Sequence, residues 1–415
     1  MKDQPNQVAS HADAVTRRAF LLSSTRALAG AALARGSLGV VSAAAPASAK
    51  RKFPDLSARA PVSPVAVLRC DSYEPQVFRQ ALEKSFDLIG GIQSLVRDKT
   101  VAVKLNLTGL SWKPVFGLAA QETYQTQPDT VAALCAILAG AGARRIVLLE
   151  NLYWEKPFEQ VLTEAGWDVK AIRSAGDHRV TFEDTRNRGT WPGYSRFKVP
   201  WGGFMYPAFD LNQRFEKTDV LVSLAKLKQH ATAGITGAVK NCFGNTPTSL
   251  YGDTAPDEKG LIHRAVMFHG GDKRVPAGVP AELDHGLPKE STVRVPHVTA
   301  DIFGARPSDL NIVDGIRTIR GGEGHWNQGI GLMNPKVLVV GRNGVCTDSV
   351  GTAVMGFDPQ APDGQAPFQG TNHLRLLASA GVGANDLRRI EVRGLSIQEA
   401  VCPFQAPRTE SKQKS

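Results

Sequence analysis

Cysteine is scarce and scattered in this chain: Cys70, Cys135, Cys242, Cys346 and Cys402 are the five in 415 residues. No two form a CxxC pair, so neither a cysteine-ligated zinc site nor an iron–sulfur cluster has a ligand set. They read as small buried residues, with one disulfide left open and its pair unassigned. Histidine offers no substitute. His263, His269, His285 and His297 are irregularly spaced and no HExxH occurs, so a histidine-ligated zinc site is not expected. GxSxG is missing, which removes the nucleophile signature of an α/β-hydrolase. GxGxxG and the Walker pattern are missing too, which leaves nucleotide binding with little support. No apolar run is long and clean. The one Ala/Leu/Gly stretch near the start is interrupted by Arg26 and Arg35, too weak for a stable membrane anchor.

What is abundant is positive charge and ordinary core material. Hydrophobic residues make up 42%, enough for a substantial core, and the net charge is +10. Residues 1–49 hold one Lys and four Arg against two Asp, so a chain beginning at Lys50 carries about +7. Those charges are scattered and not interleaved with aromatics, so a nucleic-acid partner is not expected. A small acidic ligand suits the balance better.

The first 49 residues have the pattern of an export signal. In "TRRAFLL", Arg17 and Arg18 precede Phe and Leu, an apolar stretch runs to about Val41, and "ASA" at 47–49 is a small-x-small cleavage site, with "AAA" at 43–45 as a second option. A disordered basic tail or an ordinary helix is the plainer alternative. The export reading predicts passage through the twin-arginine machinery, cleavage near Ala49, and a periplasmic or secreted mature protein. No Cys lies near the cleavage site, so lipid anchoring is not expected.

Beyond that segment, β-branched apolar runs alternate with helical spacing. "PVAVLRC" and "TVAVKLNL" flank "PQVFRQALEKSFDLIGGI". "TVAALCAILAGAGARRIVLLEN" predicts helix, glycine stop and strand, and "PFEQVLTEAGWDVKAI" predicts the same again. "TDVLVSLAKLK", "DLNIVDGI" and "KVLVVG" come later as short buried strands. The alternation predicts an α/β fold with a mostly parallel sheet and helices on both faces, as one domain over 60–400. Two irregular excursions interrupt it: 176–218, resembling an inserted hairpin or lid, and 246–297. A polar tail closes the chain at 403–415.

Ligands of open parallel sheets bind outside the carboxyl ends of the strands. The residues arriving there are Lys104 and Asn106, Glu150 and Asn151, Lys226, Lys228 and His230, Asp314, and Asp348. "KLKQHATAGITGAVKNCFGNTP" (226–247) concentrates cations among small residues. Lys226 and Lys228 are expected to share a strand face, and the loop after them opens a helix that carries Lys240 and Asn241 and that Gly244 would end. Small residues admit a ligand to the backbone, and lysine suits phosphate or carboxylate, or serves as a base when desolvated. A solvated strand end beside a small-residue packing seam is the plainer alternative. "DGIRTIRGGEGHWNQG" sets Asp314, Glu323 and His325 in a glycine-rich loop, where carboxylates and histidine hold a divalent cation or move protons; a tight turn whose acids cap backbone is the alternative. Asp348 either joins Asp314 in holding a cation or caps a helix.

The motifs "VAVKLNL", "AKLKQHATAGITGAVKNCFG", "LNIVDGI…GGEG", "VCTDSVGTAVMGFDP" and "GVGANDLRRIEVRG" occur in an order that resembles the domain of unknown function 362 family, from about Val65 to Gly394. The resemblance implies an α/β domain and, for a signal-bearing member, export; it implies no reaction. Many members are similar to one another in carrying a ferredoxin-like module, which this chain lacks, so no iron–sulfur cluster is expected. The expectation is an exported enzyme for a small carboxylate or phosphate. Lys228, His230, Asp314 and Glu323 would be catalytic. Lys104, Asn106, Lys226, Lys240 and Asn241 would bind substrate, and Asp314 and Asp348 are the candidate ligands of a divalent cation. A non-catalytic periplasmic binding or accessory protein is the alternative, and a redox enzyme with a bound flavin or metal is a third.

Overall fold

A computed structural model describes residues 53–109, 111–187, 193–258, 264–283 and 286–404. The export segment, most of the polar tail, His263 and His285 therefore lie outside the described residues. Fourteen strands occur among them: β1 (Val65–Arg69), β2 (Thr100–Lys104), β3 (Arg145–Glu150), β4 (Val180–Asp184), β5 (Tyr194–Lys198), β6 (Ala208–Asn212), β7 (Val220–Lys226), β8 (Gln229–His230), β9 (Gly234–Ile235), β10 (Leu310–Gly315), β11 (Thr318–Arg320), β12 (Gly331–Met333), β13 (Val337–Gly341) and β14 (Val392–Gly394). Eight form one sheet in the order β14-β1-β13-β10-β7-β2-β3-β4. All run the same way except β13, which is antiparallel to both its neighbours. β7 is buried along its whole length, as a central strand covered on both faces must be. The fold is α/β with a mostly parallel sheet.

The helices arise from spacing and capping. Pro75–Leu88 buries Phe78, Ala81, Leu82, Ser85 and Phe86, one stripe of a 3.6-residue period, and Glu74 caps it by accepting from the Val77 N–H. Pro128–Gly140 is capped by the Gln127 side chain. These two pack on the sheet face built from Val101, Val103, Leu148, Val222, Leu224 and Ile312. The opposite face carries Gly237–Asn241, Ser291–Ala305 and Gly344–Val354.

Three sequence expectations need correction. In "PFEQVLTEAGWDVKAI" the segment after the glycine is a helix, Val169–Ala175, because Asp168 caps it by accepting from the Ala171 N–H. The strand comes later, as β4, so the 176–218 excursion surrenders its first residues to the main sheet; the expected hairpin is β5–β6. The 246–297 excursion ends early, since Ser291 already opens a fifteen-residue helix containing Pro296. Proline there cannot donate to the Thr292 carbonyl one turn back, and the Thr371 N–H takes that carbonyl at 3.0 Å instead. All five cysteines are free, four of them buried. No helix among the described residues is long and apolar enough to cross a membrane.

Candidate functional site

β2, β3 and β7 deliver Lys104, Glu150 and Lys226 at their carboxyl ends. Over the first two lies a cavity of about 520 Å³. Its wall includes Lys104, Asn106, Glu150, Asn151, Lys228, His230, Lys240, Asn241, Arg264 and Glu323, with Tyr153, Phe243, His269, His325 and Trp326 around them. Among the residues expected from the sequence, the structure thus gathers Lys104, Asn106, Lys228, His230, Lys240, Asn241 and Glu323. It leaves out Lys226, Asp314 and Asp348.

The omissions have physical reasons. β7 ends at Lys226, so Lys228 lies past the strand and the alternation that would align the two no longer applies. Lys226 turns to the Asp314 carboxylate on the adjacent strand at 2.8 Å and donates to the Tyr73 hydroxyl at 2.6 Å. Asp314 also accepts from Tyr73 and from the Ile316 N–H at 2.9 Å. With its oxygens taken by one cation and two donors, it is a structural carboxylate and not a cation ligand. Asp348 accepts from the Ala238 and Val239 N–H groups at 2.7 and 2.8 Å, capping the neighbouring helix and not its own. Burial pushes its carboxyl up to about 7 against the pull of those two N–H groups. Gly237 is obligatory beneath it: φ is +53°, and a Cβ there would meet the Asp348 carboxyl at 2.5 Å. The described residues contain no cluster of three His, Cys, Asp or Glu suited to a metal. Lys240 is the fourth residue of a five-residue helix, one turn in.

Within the cavity the cations differ in how they are held. Lys104 sits 2.5 Å from Glu150 Oε1. Glu150 is braced by the N–H groups of Leu107 and Asn151 at 3.0 and 2.9 Å. A Cβ at Gly244 would meet the Lys104 ammonium at 2.9 Å, so the small residue makes room for this pair. Lys228 donates to Asn106 Oδ1 at 2.9 Å and to the Tyr124 carbonyl, both neutral acceptors. Asn106 is fixed by donating to Asn241 Oδ1 at 2.9 Å, and Asn241 donates in turn to Ser223 Oγ at 3.0 Å. Arg264 donates to the Thr246 carbonyl and to the Tyr153 hydroxyl at 2.9 Å, again neutral groups. Lys240 places its Nζ 3.8 Å from the centre of the Phe243 ring. Among the described residues no carboxylate lies within ion-pair distance of Lys228, Lys240 or Arg264.

Burial of under-compensated cations depresses their pKa values. Burial takes Lys228 well below its ordinary value, Glu323 opposes this, and the other lysines reinforce it. Burial brings Lys240 down to about 7, opposed by Glu323 and helped by Arg264 and Lys104. His230 is brought down to about 3, mainly by burial. It is therefore neutral near pH 7. Its Nδ1 lies 3.2 and 3.3 Å from the N–H groups of Thr232 and Ala233 and accepts from them, which puts the ring proton on Nε2. Glu323 stands 3.6 Å from His230 Nδ1. Burial raises its pKa, but His230, the Ala231 N–H at 2.9 Å and the Trp326 indole at 3.0 Å outweigh that and hold it at about 2.

The loop "GGEGHWNQG" closes one side. The Gly321 N–H donates to Gln229 Oε1 at 2.7 Å, and Asn327 Oδ1 accepts from the Glu323 N–H at 3.0 Å. This aims Glu323 inward and leaves Trp326 at the mouth, 43% exposed. No sequence signal points to Arg264. It stands in the 246–297 excursion, and no local motif distinguishes it from the other arginines.

Fold and site define an α/β protein with a cationic cavity at the carboxyl edge of a mostly parallel sheet. The chain belongs to the domain of unknown function 362 family, whose model matches residues 101–353. Two solved structures are similar at 11% identity: a protein from Thermotoga maritima, with TM-score 0.35 over 67% of this chain and 57% of that one, and the lactate racemase apoprotein from Thermoanaerobacterium thermosaccharolyticum, with TM-score 0.32 over 66% of this chain and 54% of that one. This chain spans just over half the length of each. No curated protein matches it.

Proposed function

We propose that the cavity binds a small carboxylate or phosphate and that the protein is an enzyme acting on it. One observation carries the reading: Lys228, Lys240 and Arg264 line a single cavity with no carboxylate partner among the described residues. Three such groups held from water cost stability unless a ligand compensates them. An oxyanion accepting from Arg264 and Lys228 supplies the missing charge. The volume lies within the range of small-molecule sites, roughly 300–1,000 Å³. Neutral His230, with its proton on Nε2, and anionic Glu323 set one donor and one charged acceptor in the same cavity to orient a reacting ligand, the feature that favours turnover over capture. Asn106 and Asn241 set the direction of the Lys228 amine. We propose further that the protein acts after twin-arginine export, with the signal removed near Ala49.

The test is a thermal-shift series with oxalate, phosphate, citrate and pyruvate at pH 7. Binding of at least one is expected, with Arg264→Met and Lys228→Ala each weakening it about 10- to 100-fold, the value of a charge-assisted hydrogen bond. An anion should also raise the Lys240 pKa, so calorimetry in buffers of different ionisation enthalpy should show proton uptake near pH 7. If no anion shifts the melting temperature, the reading fails. Turnover lost in His230→Ala with binding retained separates the enzyme from a binding or accessory protein. Colour and metal content of the purified protein decide the redox alternative.

A further inference from the structure

The cavity holds three lysines, and they are not equivalent. Lys104 is committed to Glu150 at 2.5 Å. Lys228 is tied down by Asn106 and the Tyr124 carbonyl. Lys240 has neither a carboxylate nor a hydrogen-bond acceptor among the described residues, and its amine rests on the Phe243 ring at 3.8 Å. Resting on the helix Gly237–Asn241, which Asp348 caps, its backbone is fixed while its amine is left uncommitted.

We propose that Lys240 is a covalent nucleophile that forms an imine with the carbonyl of a small oxo acid held in this cavity. This rests on the anion-binding reading above and goes further, naming the substrate class and the bond. The Lys240 nitrogen bonds to the carbonyl carbon and the C=O π pair moves to oxygen. That oxygen then leaves as water, carrying the two protons the nitrogen gives up, so neither oxidant nor reductant is consumed. Arg264 and Lys228 hold the substrate carboxylate, which fixes the carbonyl against the amine. Glu323 and the Nε2 proton of His230 line the same cavity and orient the nitrogen and the departing oxygen by hydrogen bonds while the nitrogen's protons pass to that oxygen. The amine has already given up its proton in about half of the molecules near pH 7, because burial and the neighbouring Arg264 and Lys104 cations bring it to about 7. A lysine in bulk water would be almost wholly protonated at that pH.

Glyoxylate is the probe, with cyanoborohydride to reduce any imine to a stable secondary amine. The expected result is one carboxymethyl group per chain, mapped by peptide mass spectrometry to Lys240, with about tenfold less label in Lys240→Arg. Labelling should rise with pH, with a midpoint above the ligand-free amine's value of about 7 because the bound carboxylate raises it, and excess oxalate should suppress it. Label spread over surface lysines, label concentrated on Lys228 or Lys104, or no label at all would overturn the proposal. The thermal shift with oxalate is read on the same samples. Stabilisation by oxalate without trapping overturns the imine and leaves the anion site standing; the absence of both removes both.

Discussion

Replacing Lys240 by methionine should make the protein more stable and less able to bind its ligand. The amine has its pKa displaced from 10.5 to about 7, chiefly by burial. In the unfolded chain it returns to its ordinary value. Between those two pH values the unfolded state holds a proton that the folded state has released, so wild-type stability climbs with pH across the window. The cost is full below about pH 7 and gone above about 10.5. A displacement of that size corresponds to roughly 4–5 kcal/mol, and at pH 7, where the folded amine is half protonated, to about 4 kcal/mol. At pH 9 the same relation leaves about 2 kcal/mol. Methionine keeps the unbranched stem over Phe243 and has no such cost. Replacing buried ions with apolar groups of similar volume stabilises by about 1–4 kcal/mol, so the expected gain sits at the upper end. Urea unfolding of both proteins at pH 6, 7 and 9 measures it. The variant should lead by the largest margin at pH 6 and 7, and the lead should shrink by about half at pH 9. A difference independent of pH, or a variant weaker at every pH, would show that Lys240 is compensated in the folded protein and that the cavity is not short of negative charge.

Lys226→Met should act in the opposite sense, since it strands Asp314 without its cation; a loss of about 3–5 kcal/mol in urea unfolding is expected, with most of it recovered in Lys226→Met/Asp314→Leu and oxalate binding unaffected. Changing Arg17 and Arg18 together to Lys should leave full-length precursor in the cytoplasm, visible by fractionation and intact mass; mature protein outside the cytoplasm would refute twin-arginine export.

Much of the architecture was legible in the chain. The apolar run of β7 and the helix–glycine–strand pattern of 130–151 specify elements through local periodicity, and their alternation specifies a parallel sheet with two covered faces. Local pattern failed where a single cap or a distant partner decided the outcome. Asp168 turned an apparent strand into a helix, and the Thr371 N–H made a proline tolerable inside the helix Ser291–Ala305. The reversal of β13 was also hidden, because a fully buried strand has the same composition in either direction.

The site divides along the same line. Sequence alone determined that lysines and acids collect at the carboxyl edge of the strands, since that depends only on the residues just after each apolar run. Which of them face one another was decided by the tertiary structure. Lys226 and Lys228 are neighbours in sequence, yet one is neutralised by Asp314 and the other is left among neutral oxygens. Arg264 enters the cavity from an excursion with no periodicity to announce it. Charge pairing acts over a few ångströms of space, without regard to distance along the chain, so no spacing rule could separate the compensated cations from those with no carboxylate partner among the described residues.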